Sequence, residues 1–198
     1  TIVTNSTGTT LNPSLDFGFV PSNGFLKTIT GTSETFTSGT NVAIGEIVTY
    51  QITMDLTASI TYNNVVVTDR MDKGLAFVDC VLVNVAGTDA TSTVCPPVVS
   101  SIVNPGDSVA NPANAGRQVV FNVGNIPVSA TDSTLVIQYR AIVLDVIENQ
   151  DAGTLNNAAT VSWTGGVLSS SASNVTIVEP DLVIEKSAAP VVNVPLGT

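Results

Sequence analysis

Residues 46–54 read EIVTYQITM, and the spacing within them decides the fold class. Val48, Tyr50, Ile52 and Met54 fall on one side of an extended chain, and Ile47, Thr49, Gln51 and Thr53 on the other. A period of two rather than 3.6 marks a strand with one buried face. The same alternation recurs in NNVVVTDRM (63–71), LAFVDCVLVNV (75–85), RQVVFNVGNI (117–126), STLVIQYRAIVLDV (133–146), NNAATVSW (156–163) and SNVTIVEP (173–180). Gly, Pro, Asn and Asp clusters bound these runs, and no long window of helical period separates them. The pattern predicts an all-β, immunoglobulin-like antiparallel sandwich of seven to nine strands. Between Cys95 and Arg117, CPPVVSSIVNPGDSVANPANAGR is too rich in Pro and Asn for a regular element and reads as one long loop.

The composition supports a packed core: 43% of the 198 residues are hydrophobic and the mean hydropathy is +0.38. Charged residues make up only 11%, the balance of an exported β protein with a polar but weakly charged surface. Sixteen acids stand against six bases, a net charge of −10 that argues against nucleic acid as a partner, because phosphate binding needs clustered Lys and Arg. The most apolar stretch is broken by Asp79, so no membrane span is expected in this segment. Cys80 and Cys95 are the only cysteines and there is no histidine, which favours a disulfide over a structural zinc site. The missing histidine also removes the Ser-His-Asp arrangement, and no enzymatic turnover is expected. Asp72, Asp79, Asp89 and Asp107 read as solvated turn residues, and no D-x-[DN]-x-[DN]-G loop is present to hold calcium, so no cofactor is expected.

Three polar residues fall on apolar faces. Lys27 lies between Phe25 and Ile29 in GFLKTIT (24–30), Asp69 between Val67 and Met71, and Asn157 opens the set Asn157, Ala159, Val161, Trp163. If these faces form the core, an amine, a carboxyl and a carboxamide all point inward, where lone charges cost several kcal/mol. One outcome is a buried Lys27–Asp69 ion pair capped by the Asn157 amide. The other is chemical: burial turns the lysine into a neutral nucleophile beside a protonated acid, and attack on the carboxamide with loss of ammonia leaves a Lys27–Asn157 amide. The same alternation assigns Trp163 to the core.

The ordered set LKTIT, AIGEIVTYQITM, YNNVVVTDRMDKGLAFVDC, VVFNVGNIP, LVIQYRAIVLD and LNNAATVSW resembles the repeated DUF11 domain of bacterial and archaeal surface proteins and its relative, the fimbrial isopeptide-forming D2 domain. The resemblance covers roughly residues 25–180 and implies a sandwich module of an extracellular fibre, stalk or adhesin. In isopeptide-forming relatives a first-strand lysine joins the asparagine of a late-strand NxA, with an acid assisting; Lys27, Asn157 and Asp69 stand at the matching positions, and Asp145 or Glu148 are alternative acids. Residues 1–22, with STGTTLNPSLDFGFVPS, resemble the final strand of an SdrD B-like repeat, and DLVIEKSAAP, within 181–198, resembles the opening strand of a further DUF11-type repeat, Lys186 matching Lys27. Residues 23–180 are thus expected to form one module of a tandem array. Its expected partners are neighbouring repeats or identical subunits, with terminal strands that also suit assembly by strand addition. The 96–117 loop is the alternative ligand-binding element.

Overall fold

The computed structural model describes residues 24–179 and 184–187. The expectations for 1–22 therefore lie outside the described residues, as does most of 181–198, of which 184–187 are exposed and outside any strand.

In chain order the strands are β1 (Phe25–Thr32), β2 (Asn41–Val42), β3 (Ile47–Leu56), β4 (Tyr62–Met71), β5 (Leu75–Val85), β6 (Thr88–Asp89), β7 (Val98–Ser100), β8 (Gln118–Ile126), β9 (Ser133–Val143), β10 (Thr154–Leu155), β11 (Asn157–Trp163), β12 (Gly166–Ser171) and β13 (Val175–Ile177). Among the described residues eight strands are six residues or longer, within the range that the sequence predicts, and the other five are short edge and closing pieces. One sheet has the order β1-β3-β9-β5-β6 and the other β12-β11-β4-β8-β7, each antiparallel throughout. A third, small sheet, β10-β13-β2, includes a parallel pairing of β13 with β2. It departs from an all-antiparallel pattern where the chain closes one end of the sandwich, with Thr176 N–H donating to Thr40 O and Val178 N–H to Val42 O.

The two large sheets pack inner face to inner face. Val48, Tyr50, Ile52 and Met54 of β3 are wholly buried, as are Val65 and Val67 of β4, Phe121 of β8 and Val161 of β11. The alternation of EIVTYQITM has this physical origin: its apolar set meets the facing sheet while Thr49, Gln51 and Thr53 stay partly exposed. Each such buried side chain contributes about 1.5–3 kcal/mol before conformational entropy is charged against it. At the open side of the sandwich β1 and β12 meet, where the Lys27 backbone N–H donates to Ser170 Oγ at 3.1 Å.

Two stretches differ from the sequence expectation. The 96–117 loop is not wholly irregular: Val98–Ser100 adds to the edge of β8, and Pro112–Asn114 forms a 3₁₀ turn whose Ala113 N–H donates to the Asn111 side chain. The pairing uses the side of β8 away from β4, and Pro97, which has no N–H to donate, stands just before its first residue. In β5 the register shifts between Phe77 and Asp79 and again between Cys80 and Leu82, so strict alternation fails there. These bulges leave Val78 and Val81 exposed and turn Asp79 toward Arg140. Cys80 and Cys95 form a disulfide that ties β5 to the start of the long loop. A single-turn helix, Thr91–Val94, precedes Cys95.

Candidate functional site

Strand register brings the three inward polar residues together. On β11 Asn157 lies opposite Met71 of β4, and Ala159 opposite Asp69, which makes Asn157 and Asp69 diagonal neighbours on one face. From the facing sheet, Lys27 on β1 lies opposite Ile52 of β3, one pleat from the Tyr50–Tyr139 pair of β3 and β9. Lys27 is 1% exposed and Asp69 and Asn157 are fully buried.

The contacts are dense. Lys27 Nζ donates to Asp69 Oδ2, to Asn157 Oδ1 at 2.7 Å and to the Tyr139 hydroxyl at 2.8 Å. Asn157 Nδ2 donates to that same hydroxyl at 2.7 Å. The Tyr50 and Tyr139 rings stack with centroids 5.6 Å apart, and Nζ lies 5.0 Å and 5.2 Å from them, so the amine is walled off by aromatic faces. Phe121 and Phe77 also pack against the Tyr139 ring.

Burial controls the protonation of this cluster. It pulls the Lys27 ammonium from 10.5 down to about 8, against the opposing pull of Asp69. It pushes the Asp69 carboxyl up from its ordinary range, against the pull of Lys27. Both shifts favour the neutral amine and the neutral acid over the separated charges. The Tyr139 phenol is raised well above its ordinary 10.0 by burial, then by the charge of Asp69, and stays a hydroxyl. The arrangement therefore holds a nucleophile, an electrophilic carboxamide and two proton-carrying groups in hydrogen-bond contact and away from water.

Neither alternative acid reaches this cluster. Asp145 is exposed, and Glu148 accepts from Asn111 Nδ2 at 2.5 Å and faces Lys73 at 3.9 Å. The sequence reading did not assign Tyr139, although STLVIQYRAIV places it on the buried face with Leu135 and Ile137, and a buried phenol has to find a polar partner. The other acids are engaged locally: Asp72 accepts from Asn156 N–H at 2.7 Å, Asp79 pairs with Arg140, Asp89 caps Thr91 at 2.8 Å and Asp107 meets Lys73 at 2.6 Å. Trp163 packs edge-on against Tyr62 with centroids 5.7 Å apart.

The long loop is pinned to the sandwich. Arg117, 7% exposed, donates to Met71 O at 2.9 Å, Ile102 O at 3.0 Å and Asn114 Oδ1 at 3.2 Å. Among the described residues no three Cys, Asp or Glu side chains converge as a metal site, and no helix is long and apolar enough to cross a membrane.

Fold and cluster together define an antiparallel β-sandwich whose two sheets are bridged at the core by a buried Lys–Asp–Asn–Tyr group. No protein-family model matches the chain, and no curated protein matches it. Solved structures do. The full-length major pilin RrgB from Streptococcus pneumoniae matches with a TM-score of 0.52 and 18% identity over 80% of this chain and 29% of its own. A second structure of that pilus backbone protein gives 0.51 and 18% over 71% and 31%. The major pilin SpaD from Corynebacterium diphtheriae gives 0.49 and 16% over 77% and 34%. The likeness to RrgB is one of fold: this chain shares the β-sandwich architecture of a pilin domain and spans less than a third of the RrgB chain.

Proposed function

We propose that this chain is a structural module of an extracellular fibre, stalk or adhesin at a cell surface, of the DUF11 or isopeptide-forming D2 kind, stapled internally by an amide between Lys27 and Asn157. The observation that carries the reading is the contact of Lys27 Nζ with both Asp69 and the Asn157 carboxamide inside the core. In the reaction Asp69 takes one proton from the Lys27 ammonium, giving a neutral amine beside a neutral acid. Nζ attacks Cγ of Asn157, the Nζ–Cγ bond forms, and the Cγ–Nδ2 bond breaks with loss of ammonia. The step occurs once per chain and has no external substrate. The pilin fold of RrgB supports placing the module in a linear array, with neighbouring repeats or identical subunits as partners.

Such a bond suits mechanical duty. It joins β1 of one sheet to β11 of the other across a separation of 130 residues, so tension applied through the ends cannot extend the chain between them. Closing a loop of that size stabilises the fold by about 5 kcal/mol through chain entropy alone. The Cys80–Cys95 disulfide adds a second, smaller loop within the first. Peptide mapping of the reduced protein tests the reading: the peptides containing Lys27 and Asn157 should be recovered as one branched species. Their recovery as separate, unmodified peptides from folded protein would refute it.

A further inference from the structure

We propose that the Tyr139 hydroxyl is a catalytic residue of the amide-forming reaction, carrying the proton from the attacking Lys27 nitrogen to the departing Asn157 nitrogen. This rests on the Lys27–Asn157 reading above and goes beyond it by assigning the step that releases ammonia.

The geometry separates two tasks. Asp69 contacts Lys27 Nζ, and no hydrogen bond among the described residues joins it to Asn157. The nitrogen that must leave is touched instead by Tyr139, whose oxygen lies 2.7 Å from Asn157 Nδ2 and 2.8 Å from Lys27 Nζ. One oxygen thus spans the atom that must lose a proton and the atom that must gain one. Before attack an amide nitrogen has no basic lone pair, and Nδ2 donates to the hydroxyl. Once Nζ has added to Cγ, Nδ2 becomes an amine and the direction of that hydrogen bond reverses. The phenol then gives its proton to Nδ2 and receives one from Nζ in the same passage. Cγ–Nδ2 breaks, ammonia leaves, the amide remains, Asp69 keeps the proton taken at the start, and Tyr139 is regenerated.

The surroundings hold the phenol to this role. Its ring is fixed by the Tyr50 stack and by Phe77 and Phe121, and it is wholly buried, so water has no access to replace it. Burial keeps the group a neutral hydroxyl that can both give and take a proton.

The test is the rate of ammonia loss in freshly synthesised chains, followed by intact mass in wild type and Tyr139→Phe. A positioned proton carrier contributes roughly 10²–10⁴-fold, so Y139F should fold and lose ammonia at least about 100-fold more slowly. Loss at the wild-type rate in Y139F, with wild type itself linked, would overturn the relay and leave the amide intact. A wild-type chain that never loses ammonia would instead overturn the underlying reading. Should Y139F fail to fold, wild-type chain made with fluorotyrosine at its three tyrosines keeps every hydroxyl but makes it more acidic. The relay then predicts a severalfold change in rate, and an unchanged rate overturns it.

Discussion

Removing the carboxylate of the cluster while leaving its lysine has a definite cost. In Asp69→Ala the Lys27 amine, 1% exposed, keeps only the Asn157 oxygen, the Tyr139 hydroxyl and two aromatic faces as neighbours, with no countercharge. Breaking a buried pair from one side costs about 3–5 kcal/mol, because the remaining charge stays desolvated. The double variant K27M/D69L removes both charges and escapes that cost. Both variants lose the staple, so each should be about 5 kcal/mol less stable than wild type through loop entropy. Asp69→Ala should fall a further ~3–5 kcal/mol below the double variant in guanidinium titrations with the disulfide kept intact. Its stability should also recover as pH rises toward 10.5. Without Asp69 the folded-state pKa of Lys27 lies below the about 8 of wild type, while the unfolded chain holds its proton up to 10.5, so the unfolded state binds more protons across that window. An Asp69→Ala chain as stable as K27M/D69L, or one that still forms the amide, would show that Asp69 neither balances the Lys27 charge nor takes its proton.

The rate of amide formation should follow a bell in pH: the productive state, neutral amine with neutral acid, carries one shared proton. The alkaline limb should fall near the about 8 of Lys27, where that proton is lost, and a rate still climbing well past it would count against Asp69 as the acid. Replacing Cys80 and Cys95 by Ser together opens a loop closed over a separation of 15 residues and should cost about 3 kcal/mol in denaturant unfolding, with amide formation retained. Arg117→Ala frees the Met71 and Ile102 carbonyls and the Asn114 side chain, and should cost roughly 2–4 kcal/mol while opening 101–116 to limited proteolysis. Unchanged cleavage there would show that Arg117 does not hold the loop.

Local alternation carried much of this structure in the sequence. EIVTYQITM and NNVVVTDRM specify their buried faces by pleat alone, and the inward aim of Lys27, Asp69 and Asn157 follows from the same geometry. What alternation does not carry is which strands pair. That β4 pairs with β11 sets Asp69 beside Asn157, and no period within a single strand encodes it. Tyr139 is hidden for the same reason, since its place near Lys27 depends on β9 pairing with β3 and β3 with β1. The hairpin strand β12 follows a two-residue Thr164–Gly165 connection, a turn signal that was present, but its Gly166-Val-Leu-Ser run lacks a clear apolar face because it is an edge strand. The bulges of β5 likewise break the period where Asp79 leaves the core side.

Everything mechanical in this account depends on one covalent event, and the intact mass of the reduced, folded chain reads it directly. The mass should lie one ammonia below that of the sequence and return to the full value in Lys27→Ala. A folded wild-type chain at its full sequence mass would contradict it and leave Lys27, Asp69, Asn157 and Tyr139 as an unreacted polar cluster in the core of the sandwich.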